Sequence, residues 1–391
     1  MKLFQRLLVA PAALGLLAPI SANANEVNLK EISNYSDLEN FEFANSFDND
    51  ELTENTLLAG GEGLVDDHSH DGGFSSTTSA SFSVDFAIGA VDGKDVVKKT
   101  LANALFVDSS NETTQTAYGY QIDLSTSFTG EDALSVSLDA GAGGSALSEL
   151  DLNSGGDGLI VDGITYSFPL GDKLTVLVGD STDGSALYST ACVYGGFTNT
   201  LDDCGNYSSA FTTTGTSSVG FSASYDIGNG FTGAIGYAGS GTAATGLMAS
   251  GTDYYGGQLT YTGDSFGASV TYADLDTATA WGLNGYYAFD SGLPSVSVGY
   301  EFTENEGSTA DQTQWFAGLQ WDEIGPGSLG IAAGNKGPQR DGSTEEMAYE
   351  AFYAYSVNDS MTITPAVFIL ENNGSGETDE TGVVVKTSFS F

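Results

Sequence analysis

The sequence predicts an all-β fold: a transmembrane antiparallel up-and-down β-barrel of about 16 strands, preceded by a short mobile N-terminal segment. Segments of about ten residues that alternate apolar with small or polar residues recur from Phe74 to the C-terminus, which is the signature of such a barrel. The connections between these segments alternate strictly between short and long. After residue 24 no run of roughly 18 apolar residues occurs, so we predict no transmembrane helix.

The chain divides into three regions. Residues 1–24 have the form of a secretory signal peptide, with Lys2 and Arg6 ahead of a short apolar run and a small-residue cleavage site at residues 22–24. Residues 25–73 are rich in Asp, Glu and Asn without a sustained period, which predicts an acidic, mobile periplasmic segment. Residues 74–391 form the predicted barrel.

The strands and their connections follow from a period of two. In residues 296–302, for example, every second residue is Val, Tyr or Phe, and the residues between them are Ser, Gly and Glu. Short turns are expected at residues 129–132, 169–173, 226–230, 262–265, 290–294, 322–327 and 357–360. Long connections fall between them; residues 180–217 form the longest, and residues 274–279 are the only long-side link that is brief. Short periplasmic turns and longer external loops produce this alternation, and Tyr and Trp near segment ends match interfacial girdles.

The first long connection contains a lysine-rich stretch. Residues 94–105 read KDVVKKTLANAL, and we expect a short helix with a solvated basic face here.

The charge is strongly one-sided. Fifty-two acidic residues against ten Lys and Arg give a net charge of −42, which argues against nucleic acid as a partner because its phosphates need basic contacts. The same excess favours cations, as counterions or as cargo.

The alternating polar face supplies candidate pore-lining charges. If the apolar face meets lipid, the opposite face lines a lumen, and its charged residues are Asp85, Asp123, Asp139, Asp226, Glu301, Glu350 and, with opposite sign, Lys386. A lumen rich in carboxylates concentrates cations and repels anions. The alternative, that these charges only keep the lumen wet, stays open.

Two pairs of residues are candidates for a disulfide bond and for a metal site. Cys192 and Cys204 lie 12 positions apart, and in an exported protein we expect them to form a disulfide, with two unpaired thiols as the alternative. His68 and His70 are the two histidines of the chain, and with flanking Asp residues they form a candidate divalent-metal site. A solvated, Gly-rich linker is the competing interpretation of that stretch.

No enzyme pattern is convincing. Both histidines precede the barrel, so a Ser-His-Asp set has no partner within it. A Gly-x-Ser-x-Gly match at residues 263–267 falls on a predicted hairpin turn without a following helix, where no nucleophile elbow forms. We therefore predict a non-enzymatic protein without a cofactor.

Three segments carry a resemblance to a known family. Residues 1–15 (MKLFQRLLVAPAALG), 117–132 (AYGYQIDLSTSFTGED) and 163–172 (GITYSFPLGD) resemble cyanobacterial outer-membrane porins of the carbohydrate-selective, or iron-uptake, porin family. Members of that family typically carry an S-layer-homology domain and a coiled coil after the signal peptide. Residues 25–73 show neither pattern, which leaves peptidoglycan tethering unsupported.

The resemblance implies a role for the third long connection, residues 180–217. In general porins the third external loop folds inward and narrows the channel, and here Asp202 and Asp203 would present carboxylates at that constriction. A disulfide between Cys192 and Cys204 would restrain such a loop. A surface loop that only needs a covalent restraint is the alternative.

The expected function is passive diffusion of small hydrophilic solutes and inorganic ions across the outer membrane, with a preference for cations. The resemblance adds carbohydrates or iron as cargo. The expected partners are outer-membrane lipid, lipopolysaccharide and the diffusing solutes, and a homotrimer is among the expectations. The competing hypothesis is a secreted or surface β-rich protein that binds Ca²⁺ or adheres through acidic loops.

Overall fold

The structure is a computed structural model of the 391-residue chain. It describes residues 77–93, 96–99, 105–108, 112–143, 145–150, 152, 156–189, 191–202, 204, 219–239, 253–289, 292–307, 309–373 and 378–391. The chain divides into two units, Met1–His68 and Ser69–Phe391, and every described residue belongs to the second. The predicted signal peptide and the acidic segment therefore lie outside the described residues. Among the described residues, no helix has the length and apolar character needed to cross a membrane.

The described chain is almost entirely strand. In chain order the strands are β1 (Thr78–Asp92), β2 (Val96–Lys99), β3 (Leu105–Asp108), β4 (Gln115–Thr126), β5 (Ala133–Gly143), β6 (Gly156–Leu170), β7 (Leu174–Asp180), β8 (Val219–Gly228), β9 (Phe231–Gly239), β10 (Asp253–Thr262), β11 (Phe266–Asp274), β12 (Ala278–Tyr287), β13 (Ser295–Asn305), β14 (Gln312–Ile324), β15 (Gly327–Asn335), β16 (Gln339–Arg340), β17 (Met347–Asn358), β18 (Met361–Leu370) and β19 (Glu380–Ser390). Two short 3₁₀ turns, Ser145–Leu150 and Asn199–Leu201, lie in long connections.

Sixteen long strands close into an antiparallel barrel. Each pairs with its neighbours along the chain, and β1 pairs with both β4 and β19. At the seam, Val84 of β1 lies opposite Phe389 on one side and opposite Tyr120 on the other. The two-residue strand β16 pairs with the start of β14 in addition to these. The predicted fold class and strand number are confirmed.

The first long connection differs from the prediction. Its described residues form an antiparallel pair, β2 with β3, in which Val97 lies opposite Val107. The expected helix over residues 94–105 is therefore wrong for residues 96–99. Val96, Val97, Phe106 and Val107 are β-branched or aromatic residues that favour a pleated pair over a helix.

Short and long connections alternate around most of the barrel, but the long-side link between β11 and β12 is brief, at residues 275–277, and the link at 288–294 is longer than the next one, at 306–311.

One short turn is organised by a single carboxylate. Between β4 and β5, Oδ1 of Asp132 accepts hydrogen bonds from the backbone N–H groups of Phe128 (2.9 Å) and Thr129 (2.7 Å). The hydroxyls of Ser127 and Thr129 donate to the same oxygen, and Tyr166 donates to Oδ2 at 2.7 Å. Burial alone raises the pKa of Asp132, but these bonds more than offset it and hold that pKa below its ordinary value.

The two faces of the sheet differ chemically. The outward positions expose large apolar side chains, as in Ile235 (59% exposed) and Leu283 (53% exposed). Most inward positions between them carry polar or small residues that are largely buried, as with Thr271 and Ser297, and the exceptions include the buried rings of Phe316, Phe352 and Phe368. A soluble barrel would have the reverse arrangement, because apolar surface is normally removed from water.

Aromatic side chains form two rows on the outward face. Six strands carry an outward aromatic pair six residues apart: Phe231 and Tyr237, Tyr255 and Tyr261, Phe266 and Tyr272, Trp281 and Tyr287, Trp315 and Trp321, and Tyr349 and Tyr355. Neighbouring strands bring the rings of one row together, for example Tyr237 with Tyr255 (centroids 5.3 Å apart) and Phe231 with Tyr261 (4.9 Å). Six residues span roughly 20 Å along a strand.

Candidate functional site: the barrel interior and its inward loop

The charges predicted to line a lumen all fall on the inward face of the barrel. Strand register shows this, because each lies opposite a residue of that face: Asp85 opposite Gly119, Asp123 opposite Ser137, Asp139 opposite Gln121, Asp226 opposite Thr232, Glu301 opposite Gln314, Glu350 opposite Ala332, and Lys386 opposite Ala87. Their surroundings differ, however, and the seven residues are not equivalent.

Two of these carboxylates have close local partners. Asp123 accepts hydrogen bonds from Nε2 of Gln121 (2.9 Å) and from the hydroxyl of Ser137 (2.6 Å) on the neighbouring strand. Asp226 accepts a hydrogen bond from the backbone N–H of Gly228 (2.8 Å), next to the short turn between β8 and β9. Both are only partly covered, so they still present negative charge to the interior.

The described residues of the third long connection, 181–189, 191–202 and 204, lie inside the barrel along its inner wall. We call them the inward loop. Successive backbone N–H groups of this loop donate to inward polar side chains: Leu187 to Ser222 of β8 (3.2 Å), Ser189 to Gln258 of β10 (2.7 Å), Val193 and Tyr194 to Ser297 of β13 (3.1 and 3.2 Å), and Gly195 to Gln320 of β14 (3.1 Å). The wall thus satisfies backbone groups that a loop buried inside a barrel would otherwise leave unpaired.

One carboxylate holds the centre of the inward loop. Oε1 of Glu350, on β17, accepts hydrogen bonds from the Tyr194 hydroxyl (2.8 Å) and the Phe197 N–H (2.9 Å). Its Oε2 accepts from the N–H (2.8 Å) and hydroxyl (2.6 Å) of Thr198. Glu350 is only 3% exposed, so four donors replace the water that its charge would otherwise require.

The charge of Glu350 also affects the tyrosine that it binds. Burial, and after it the negative charge of Glu350, raises the pKa of Tyr194 above its ordinary value. The phenol therefore remains protonated and keeps donating to the carboxylate.

The predicted disulfide is confirmed and closes the inward loop on itself. Cys192 and Cys204 are bonded, with their Cα atoms 6.1 Å apart. Within the ring, Asp202 is exposed and its Oδ1 accepts a hydrogen bond from the N–H of Gly196 (3.2 Å). Asp203, the second predicted constriction carboxylate, lies outside the described residues.

Apolar side chains of the loop pack against the wall. Tyr194 contacts the rings of Phe316 and Phe352, with centroids 5.4 and 6.0 Å apart, and Phe197 stacks on Phe352 at 6.0 Å. The ammonium of Lys386 lies 5.6 Å from the centroid of the Phe197 ring, within the range of a cation–π contact. Lys386, predicted to face a lumen, is thus placed against the inward loop.

A second long connection, the one between β5 and β6, contacts the inward loop inside the barrel. The 3₁₀ turn Ser145–Leu150 lies between β5 and β6, and Leu147, Leu150 and Leu152 are buried in the same apolar cluster as the inward loop. The hydroxyl of Thr200 donates to Oε2 of Glu149 at 2.7 Å, which links the two connections directly. Sequence reasoning missed this contact, because neither loop carries a periodic pattern.

The two histidines that were candidate metal ligands, His68 and His70, lie outside the described residues. Within the described ranges no group of three or more His, Cys, Asp or Glu residues is arranged to hold a metal ion.

Comparison with known proteins places the fold among porin barrels. No protein-family model matches the chain, and no curated protein matches it by sequence. Among solved structures it is similar to OprB of Pseudomonas putida, with a TM-score of 0.61 and 10% identity over 81% of this chain and 94% of that chain. It is also similar to variants of the Rh. blastica porin, one of them with a TM-score of 0.50 and 14% identity over 80% of this chain and 100% of that chain. At these identities the likeness shows a shared barrel fold.

Proposed function

We propose that this protein is an outer-membrane porin through which small hydrophilic solutes and inorganic ions diffuse passively. The observation that carries the proposal is the closed barrel with an apolar outward face, a polar inward face and a loop folded against its inner wall. The competing hypothesis of a secreted, Ca²⁺-binding or adhesive β-rich protein offers no reason for an apolar surface around the barrel.

The location follows from the same surface. In this proposal residues 1–24 direct export, residues 25–73 remain in the periplasm, and the two aromatic rows lie at the two membrane interfaces, where amphipathic rings are favoured. Outer-membrane lipid, lipopolysaccharide and the diffusing solutes are the proposed partners, and a homotrimer is the proposed assembly. We propose neither a catalytic role nor a resident cofactor, nor a tether to peptidoglycan.

The proposed preference for cations rests on the inward charges. Asp85, Asp123 and Asp226 lie on the inward face, and no described Lys or Arg lies opposite them in the register. Asp139 lies on the same face. Carboxylates on a pore wall raise the local cation concentration. The inward loop sets the size limit in this proposal, and the exposed carboxylate of Asp202 adds negative charge to it.

Conductance of the purified protein in a planar bilayer tests the porin function. The folded barrel is first verified by the change in electrophoretic mobility on boiling. Stepwise conductance increments support the proposal, and a folded preparation that inserts without any increments contradicts it.

The reversal potential in a KCl gradient tests the cation preference. We expect it to have the sign of a potassium-selective pore, and to fall in the double variant Asp85→Asn/Asp123→Asn. Asp264→Asn, on the exposed turn between β10 and β11, is the control because it changes the same charge away from the interior. Anion selectivity in the unmodified protein would exclude the preference. Concentration-dependent block of the K⁺ current by an oligosaccharide or by ferric chelates tests the cargo that the family resemblance implies.

A further inference from the structure

The inner wall of the barrel has a covered half and an uncovered half. On β8 to β13 the inward hydroxyl and amide side chains are only 0–9% exposed; they are Ser222, Gln258, Ser269, Asn284 and Ser297. On β19, β1, β4, β5 and β6 inward side chains of the same kinds are partly or fully exposed; they are Ser388, Ser83, Gln121, Ser137 and Thr165. Because the two sets have similar composition and share one face, what covers them makes the difference.

Two connections cover different parts of the wall. The inward loop lies over β8, β10 and β13, where its N–H groups donate to Ser222, Gln258 and Ser297. The connection between β5 and β6 lies over part of β4, since a Cβ atom on Gly119 would be 3.3 Å from Leu152. A stretch on five consecutive strands of the sheet stays accessible, and we call it the open wall; its residues are Ser388, Ser83, Gln121, Asp123, Ser137 and Thr165.

Asp123 is the carboxylate at the centre of the open wall. Nε2 of Gln121 donates to both of its oxygens, at 2.9 and 3.1 Å, and the hydroxyl of Ser137 donates to Oδ1 at 2.6 Å. These donors are neutral, so they fix the position of the carboxylate without cancelling its charge. Asp123 therefore presents a fixed negative charge to a solute that passes along the open wall.

Three of the other inward carboxylates lie away from this path. Glu301 and Glu350 are only 1% and 3% exposed, and Glu350 is bound by the inward loop. Asp226 lies beside the short turn between β8 and β9, where it accepts a hydrogen bond from a backbone N–H. A charge that is buried or remote from the open wall has less effect on an ion there, because water screens it.

The remaining two are nearer but present less charge. Asp85 lies on β1 one inward position from Lys386 of the paired strand β19, and that positive charge opposes its field. Asp139 has one oxygen with almost no accessible surface. Asp123 thus combines exposure, a fixed position and an unopposed charge.

We propose that Asp123 is the residue that selects cations in this pore, and that hydrated cations pass along the open wall. The inference rests on the proposed porin function. The hydroxyl and amide oxygens of the open wall replace part of the water around a passing cation, and the carboxylate supplies the charge. At roughly 5 Å in salt water, one unit charge raises the local concentration of K⁺ and lowers that of Cl⁻ by about two- to fourfold each.

The reversal potential of single variants in a KCl gradient tests the assignment. Asp123→Asn should lower the K⁺/Cl⁻ permeability ratio about fourfold or more, since it acts on both ions, and Asp123→Glu should retain most of it. Asp226→Asn removes the same charge from the same face but away from the open wall, and it should change the ratio by less than half as much. An equal fall in the two Asn variants, or an unchanged ratio in Asp123→Asn, would overturn the assignment. Absence of any conductance in the folded, unmodified protein would remove the porin function and this inference with it.

Thiol modification tests the open wall without a current. Both native cysteines are bonded to each other, so an introduced cysteine is the single free thiol. Ser83→Cys, on the open wall, should react with a small water-soluble methanethiosulfonate at least a hundredfold faster than Ser269→Cys, on the covered half. At Ser83→Cys a cationic reagent should react faster than an anionic one, and adding Asp123→Asn should lower that rate ratio about fourfold or more. Equal labelling of the two cysteines, or a rate ratio that ignores Asp123, would refute the proposal.

Discussion

Replacing Glu350 by Gln should release the inward loop while leaving the barrel closed. The substitution preserves the shape of the side chain but puts an NH₂ group where the hydroxyl and N–H of Thr198 now donate to Oε2. Those two bonds to a charged acceptor contribute roughly 1.5–3 kcal/mol each, so the docked loop should lose about 3–6 kcal/mol. The equilibrium constant for undocking then rises on the order of 10²–10⁴-fold.

Chymotrypsin provides the assay, because Tyr194 and Phe197 are buried when the loop is docked. We expect the Glu350→Gln variant to be cut at these two residues at least a hundredfold faster than the unmodified protein, while its mobility shift on boiling is unchanged. Single-channel recordings should show larger or more frequent conductance increments. Asp85→Asn is the matched control, since it also removes an inward carboxylate but has no described hydrogen bond to the loop. Equal protection of the two variants would refute the role assigned to Glu350.

Three further predictions concern single positions. Gly299→Ala places a methyl group 1.9 Å from the carbonyl oxygen of Cys204, so it should cost about 1–3 kcal/mol of loop docking and speed chymotrypsin cleavage, whereas Gly257→Ala, whose nearest contact would be 3.6 Å, should not. Replacing Cys192 and Cys204 together by Ser should raise the noise of the open-channel current without preventing folding, because the loop keeps its wall contacts; full loss of the folded barrel would contradict this. Asp132→Asn should lower the unfolding temperature of the barrel at neutral pH. Because the pKa of Asp132 is lowered by folding, its stabilisation is complete above the ordinary aspartate pKa and is lost as pH falls through the folded value. The difference between the two proteins in thermal unfolding should therefore shrink in acid, and a constant difference would argue against this origin.

Much of the architecture was predictable because it depends on local patterns. The period of two places one apolar face outward on every strand, and a register error of one residue would reverse that face, so strand number and orientation follow from the sequence. The disulfide was predictable from two cysteines in a chain that the sequence predicts to be exported. The strand pair β2–β3 was missed because lysines in residues 94–105 resemble a helix face, whereas the valines prefer a sheet.

The interior was less predictable, because its contacts join residues that are far apart in sequence. Glu350 was expected to face a lumen, and it does lie on the inward face, but its oxygens are bound by residues more than 150 positions away. Likewise, Ser297 looked like any small polar residue of a strand until the loop was seen to bind it. One signal was available: residues 194–201, YGGFTNTL, are more apolar and aromatic than a solvent-exposed loop requires.

The side chains that hold the inward loop lie far from it in sequence, and this separation affects the order in which the barrel assembles. The inward loop leaves the sheet after β7, yet its central clamp is on β17 and the lysine over Phe197 is on β19. Contacts between residues so far apart in sequence form slowly, because closing a long loop costs chain entropy. The inward loop therefore cannot dock until the last strands have joined the sheet. In a partly assembled barrel the inward loop would stay undocked. Docking of the loop would therefore coincide with closure of the barrel. Protease resistance at Tyr194 should accordingly appear late in refolding, after strand content is complete.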